Sequence, residues 1–150
     1  MIEPGADSIT STYRVIYGDT DQMGVVYYAN YLRFFEIGRN EWIRASGMPY
    51  GRFEEQGMML PVAEAACSYR ASARYDDLIE IDCWCDALGR ASVGFAYRIR
   101  RGETVLATGR TKHAVLGTDD GRLKPWPKAL YHALDAYRRG EIKELTEHGS

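Results

Sequence analysis

Residues 17–32 read Tyr17-Gly18-Asp19-Thr20-Asp21-Gln22-Met23-Gly24-Val25-Val26-Tyr27-Tyr28-Ala29-Asn30-Tyr31-Leu32. Two carboxylates, Asp19 and Asp21, follow a short β-patterned run and stand just ahead of a helical one. A helix start presents N–H groups without intrahelical partners and a positive partial charge. Such donors can hold the oxyanion that develops when a thioester carbonyl is attacked. A carboxylate beside them can attack that carbonyl itself or activate a water against it. Because a thiolate leaves readily, this chemistry needs no serine or cysteine nucleophile. Aspartates in such loops also cap turns and helices. Gly24 and Tyr28-x-Asn30-Tyr31, in register with the pair, favour a chemical role for Asp21, whereas Asp19 reads as structural.

Other chemistries fit less well. A magnesium-dependent phosphotransferase would put its carboxylate pair on a parallel sheet with crossover helices, and this chain has hairpin patterning and no second acidic cluster. There is no GxSxG elbow. His113, His132 and His148 form no HExxH or other paired ligand spacing, so no metal is expected. His113 alternates with Thr111 and Val115 on a strand and should be packed; His132 and His148 should face solvent. Cys67, Cys83 and Cys85 lack CxxC spacing and read as small buried hydrophobes of a reducing compartment.

The elements that must position Asp21 follow from periodicity. Tyr13, Val15 and Tyr17 alternate with Thr12, Arg14 and Ile16, predicting a strand over 12–17 after a loose polar arm. Tyr28, Tyr31, Leu32, Phe35, Gly38 and Trp42 recur at three and four, predicting a helix that Gly47, Met48 and Pro49 end. Tyr27, Phe34 and Ile37 widen its apolar surface, so it should be wrapped on more than one side. Gly38 costs a helix roughly 1 kcal/mol against alanine, which points to another backbone passing close by at that position. From Leu60 onward strand follows strand. Ile79, Ile81, Cys83 and Cys85 alternate with Glu80, Asp82, Trp84 and Asp86; Val93, Phe95, Tyr97 and Ile99 form the next run, and 105–116 a third. Turns near Gly89-Arg90 and at 101–104 make these runs antiparallel. Leu130, Ala133, Leu134 and Tyr137 mark a short closing helix, opened by Pro127.

The expected fold is therefore α+β: an antiparallel sheet of about five strands wrapped around one long central helix, with a short C-terminal helix. A length of 150 residues suits a single domain, with an ordered core over about 12–138 and polar termini. The formal net charge of -2 argues against nucleic acid as partner. No run approaches the ~20 apolar residues of a membrane span, and the polar N-terminus is no secretory signal, so a cytoplasmic location is expected.

The string Asp19-Thr20-Asp21-x-x-Gly24-Val25-Val26-Tyr27-Tyr28-Ala29-Asn30-Tyr31 resembles the hot-dog fold acyl-CoA thioesterases of the 4-hydroxybenzoyl-CoA thioesterase and YbgC-like family. Phe35-Glu36-x-Gly38-Arg39, Ala73-Arg74-Tyr75-Asp76-Asp77 and Ala107-x-Gly109-x-Thr111 extend the likeness over roughly residues 12–138. The resemblance implies hydrolysis of acyl-CoA or acyl-carrier-protein thioesters without a cofactor. It makes Asp21 the catalytic carboxylate, as nucleophile or general base, and the backbone amide of Tyr28 an oxyanion donor. It places Tyr17, Gly24, Val25 and Tyr31 in the substrate site. YbgC-like members commonly carry histidine where this chain has Tyr28; the benzoyl-CoA branch has tyrosine. Hot-dog dehydratases use a histidine that this loop lacks. Coenzyme A phosphates call for cations; Arg70, Arg74, Arg110, Lys112 and Lys124 are candidates, and Arg74 is singled out. The resemblance also implies a homodimer or homotetramer with paired sheet edges and the site at the subunit boundary. A non-catalytic acyl-CoA-binding sensor module is the competing reading, and it would have no need of Asp21.

Overall fold

The computed structural model describes residues 3–48 and 50–145. Pro49 and His148, both named above, lie outside them. The patterned run at Ile79 becomes β4 (Leu78–Gly89), followed by β5 (Ser92–Arg101) and β6 (Thr104–Ala114). Pairing of Gly89 with Ser92 and of Arg101 with Thr104 closes both hairpins through two-residue turns. β1 (Ile9–Arg14) then adds antiparallel to β4, and β3 (Val62–Tyr69) to β6, giving the order β1-β4-β5-β6-β3. Five antiparallel strands and a long helix give the expected α+β architecture.

Ile79, Ile81, Cys83 and Cys85 turn inward and are buried, as are Phe95, Tyr97 and Ile99 of β5. The helix α1 (Asn30–Ala45) lies on this face and buries Tyr31, Phe34, Phe35, Gly38, Trp42 and Ile43. Phe35 stacks on Tyr97 at 4.4 Å, and Trp42 meets Phe95 and Tyr137 edge-on at 5.0 and 5.2 Å. Tyr137 belongs to α3 (Lys128–Arg138), which closes the far end of the core. Burial pushes the Cys85 thiol up to about 12 and the Cys83 thiol well above its ordinary value, so both remain inert thiols. His113 is buried too. Its ring bridges the Leu60 carbonyl and the Thr111 hydroxyl, each at 2.9 Å, and burial lowers its pKa to about 4.

Gly38 does mark a close approach, but of side chains and not of the backbone expected. A Cβ there would sit 2.7 Å from the Ile81 methyl Cγ2 and 3.4 Å from the Cys83 Cβ, so it is side chains of β4 that crowd the helix. Gly38→Ala should therefore destabilise the fold by about 1–3 kcal/mol, because overpacking against a β-branched core residue outweighs the helix-propensity gain. Thermal unfolding checks this, and an unchanged or raised midpoint would show that the layer has slack.

Some boundaries differ from expectation. The first strand begins at Ile9, within the stretch read as a loose arm, because Ile9 to Ser11 pair with Cys83 to Ile81. It ends at Arg14 because Tyr17–Asp19 winds into a 3-10 turn. The third run of strand splits where the Val115 N–H turns aside to the Ala91 carbonyl. Leu116–Gly117, as β7, then pairs with β2 (Met58–Met59) in a small second sheet. The short helix α2 (Tyr50–Glu55), with Phe53 as its buried anchor, had no clear signal beside Gly51.

Candidate active site

The loop between β1 and α1 is built around Asp19. Only 3% exposed, its carboxylate accepts hydrogen bonds from the Tyr13 hydroxyl (2.8 Å), the Ile16 N–H (3.0 Å) and the Arg33 guanidinium. Its carbonyl accepts from the Tyr27 N–H at 3.0 Å and from Asn30 Nδ2 at 2.9 Å. Two residues on, the Asp21 carboxylate is exposed on a tight turn. Oδ1 accepts the Met23 N–H at 2.8 Å and, more loosely, the Val25 N–H at 3.4 Å. Asp21 N–H also bonds the Val25 carbonyl at 2.9 Å, and the turn requires Gly24 at φ +79°. Oδ2 of Asp21 accepts no hydrogen bond among the described residues.

This turn is tied to a distant segment. Val25 bridges Arg74, the Val26 N–H bonds the Ala73 carbonyl at 2.8 Å, and the Ala73 N–H bonds the Tyr31 hydroxyl at 3.0 Å. Between the two segments lies a hollow of about 340 Å³ lined by Asp21, Val25, Val26, Tyr28, Tyr31, Tyr69, Arg70, Ala71 and Ser72. Tyr69 donates its hydroxyl to the Tyr28 carbonyl at 3.0 Å and packs edge-on against Tyr28 and Tyr31. Desolvation by burial and then the neighbouring Cys67 push the Tyr69 phenol up to about 12, so it stays a donor at neutral pH.

The helix proper starts at Asn30, two residues after Tyr28, because residues 27–29 form a turn ahead of it. The N–H groups of Tyr27, Asn30, Tyr31 and Leu32 go to the carbonyls of Asp19, Tyr27, Tyr28 and Ala29. Those of Tyr28 and Ala29 have no acceptor among the described residues. Tyr28 with its free amide, Asp21 with a carboxylate oxygen lacking a partner, and an aromatic wall thus share one hollow; Ala29 stands outside its lining.

The structure gathers Asp21, Val25, Tyr28 and Tyr31 around the hollow, but three expected site residues stand outside its lining. Gly24 shapes the turn. Tyr17 is 79% exposed and packs edge-on against Tyr75. Arg74 is exposed, contributing its backbone to the Val25 bridge and its N–H to Asp77. Among the candidate cations, Arg70 lines the hollow. Tyr69 is the wall residue that the sequence did not flag; its place at the end of an exposed strand was its only signal. His132 is exposed, as expected.

Comparison with known proteins agrees with the fold and gives the family. Residues 15–134 match the model of the thioesterase-like superfamily. The acyl-CoA thioesterase YbgC of Haemophilus influenzae is 35% identical, covering 81% of this chain and 92% of its own. The 1,4-dihydroxy-2-naphthoyl-CoA hydrolase of Synechococcus elongatus is 32% identical over 78% of this chain and 88% of its own. The crystal structure of TT1821 from Thermus thermophilus superposes with a TM-score of 0.80 at 32% identity, covering 85% of this chain and 98% of that one. The α+β hot-dog fold and these matches place the chain in a class of thioester hydrolases. The chain belongs to the thioesterase-like superfamily, in its YbgC-like part, and is a thioesterase. No helix among the described residues is long and apolar enough to cross a membrane.

Proposed function

We propose that this thioesterase hydrolyses acyl-CoA, or the equivalent acyl-carrier-protein thioester, to free acid and thiol in the hollow beside Asp21. The observation that carries the reading is that Asp21, whose Oδ2 has no partner among the described residues, and Tyr28, whose amide has none, line one cavity. A thioester carbonyl seated there would point its oxygen at that amide and its carbon at the carboxylate. Asp21 then acts either by attacking the carbon, giving a mixed anhydride that water opens, or by taking a proton from an attacking water. The thiolate leaves and is protonated by solvent. Val25, Tyr28, Tyr31 and Tyr69 wall the acyl group, Gly24 sets the turn, and Tyr17 and Arg74 flank it, with Arg70 nearest for the phosphate-bearing part. The names of the relatives support the coenzyme A thioester as substrate class.

Tyr69, which walls the hollow, lies on an edge strand exposed along nearly its whole length. A second copy pairing with that edge would both cover the backbone and wall the open side of the hollow. We therefore assign a homodimer, alone or doubled into a tetramer, as the working form. Hydrolysis of a panel from short aliphatic to hydroxybenzoyl coenzyme A thioesters, followed by released thiol, tests the activity. Turnover of no member, by protein whose sedimentation shows a dimer, would sink the acyl-CoA reading; a strictly monomeric active species would sink the dimer.

A further inference from the structure

We propose that Asp19 is the positioning residue of this site. Its buried carboxylate and its carbonyl jointly fix where the Asp21 carboxylate stands relative to the Tyr28 and Ala29 amides. The inference rests on the hydrolytic reading above and deepens it.

Asp19 ties together β1, the exit of that strand, the turn ahead of α1 and α1 itself. Through its carboxylate it holds Tyr13 of β1, Ile16 at the exit of the strand and Arg33 on α1. Through its carbonyl it holds Tyr27, immediately ahead of Tyr28, and Asn30, the first residue of α1. Asp21 is two residues away on one side of this junction, and the amide of Tyr28 follows Tyr27 directly on the other. Any shift of Asp19 therefore moves the two reacting parties relative to each other.

The charge on Asp19 matters as much as its shape. All three contacts to its carboxylate are donors, so an amide in its place would set one N–H₂ against donors. Arg33 is itself fixed in direction, with its guanidinium over the rings of Tyr13 and Phe34 at 5.5 and 5.4 Å. It cannot swing away without giving up both faces. None of the hydrogen-bond partners of Asp19 lines the hollow, so its effect on the reaction is transmitted through Asp21 and Tyr28.

Steady-state kinetics of Asp19→Asn, at a temperature where melting shows the variant folded, test this. The expected result is a fall in kcat of roughly 10–100-fold with KM changed less than about threefold, as misplacement by an ångström predicts. Wild-type kcat in the folded variant would overturn the inference. Should Asp19→Asn fail to fold, Arg33→Lys and Arg33→Met take its place. The lysine keeps the charge against Asp19 and should retain most of kcat, whereas the methionine, which keeps the stem alone, should lose it. Equal turnover by the two would overturn the inference. Asp21→Asn in parallel separates the two levels: if it hydrolyses like wild type, the hydrolytic reading itself fails. If it is inactive while folded Asp19→Asn is fully active, only the positioning role fails.

Discussion

Asp21→Asn is expected to lower hydrolysis of the best acyl-CoA substrate by roughly 10²–10⁴-fold, the usual contribution of a positioned proton-transfer group. The amide keeps the shape of the side chain, and its oxygen can still accept the Met23 N–H that holds the turn. Binding of a non-hydrolysable acyl-CoA thioether should therefore stay within a few-fold of wild type, because the hollow and its free amide are unaltered. Asn is neither a useful base nor a useful nucleophile, so the loss falls on kcat. Calorimetry of the thioether and kinetics of the thioester, read together, decide the matter. Lost binding with lost turnover would make Asp21 a structural residue of the turn, and retained turnover would remove it from the chemistry.

The second large effect lies on the outer face of the sheet, away from the hollow. Asp82 is only 2% exposed, and its carboxylate accepts hydrogen bonds from Thr10 (2.6 Å), Arg98 (2.9 Å) and Arg100 (2.8 and 3.1 Å). Burial alone would raise its pKa. The bonds from Arg100, Thr10 and Arg98 outweigh burial and hold the carboxyl below its usual range. Asp82→Asn should cost about 3–5 kcal/mol near neutral pH, since it leaves the partly buried Arg98 guanidinium without its counter-ion and Arg100 with Glu80 alone. A carboxyl whose pKa falls on folding stabilises the native state above its unfolded pKa, near 3.8, and loses that contribution as pH falls through the lower native value. The gap between wild type and Asp82→Asn should thus be constant above about pH 5 and narrow below pH 4. Urea unfolding at a series of pH values measures it. A gap of under 1 kcal/mol at neutral pH, or one indifferent to acid, would mean that solvent already screens the cluster.

Much of the fold was legible because hairpins are local. Gly89 with Arg90, and the 101–104 turn, forced β4, β5 and β6 into neighbours before any distant contact was known. The places of β1 and β3 were not legible. Nothing near Val62 says that it pairs with His113 rather than with Leu78, and that choice fixes which edge stays open. The start of α1 was misjudged by two residues because the aromatic spacing carries back through Tyr28. The Asp19 carbonyl claims the Tyr27 and Asn30 donors there, and so makes a turn before the helix. Asp21 could be singled out by motif, and Asp19 could be read as structural. The reason for both, five hydrogen bonds converging on one residue from β1, the turn and α1, is three-dimensional. Arg74 and Arg70 illustrate the same limit. Both are basic and near the end of β3, and only the course of the chain after Tyr69 decides which of them borders the cavity.

The bridge between Val25 and Arg74, with the adjoining Val26–Ala73 and Ala73–Tyr31 hydrogen bonds, also bears on how the chain becomes active. The cavity has one wall from each of two segments that are synthesised far apart, with α1, α2, β2 and β3 between them. Closing so long an intervening stretch is slow compared with forming a hairpin. Catalytic competence therefore comes late in refolding, after the β4–β5–β6 meander has assembled. A chain interrupted before the Ala73 segment docks would hold a helix and a loop but no reaction chamber.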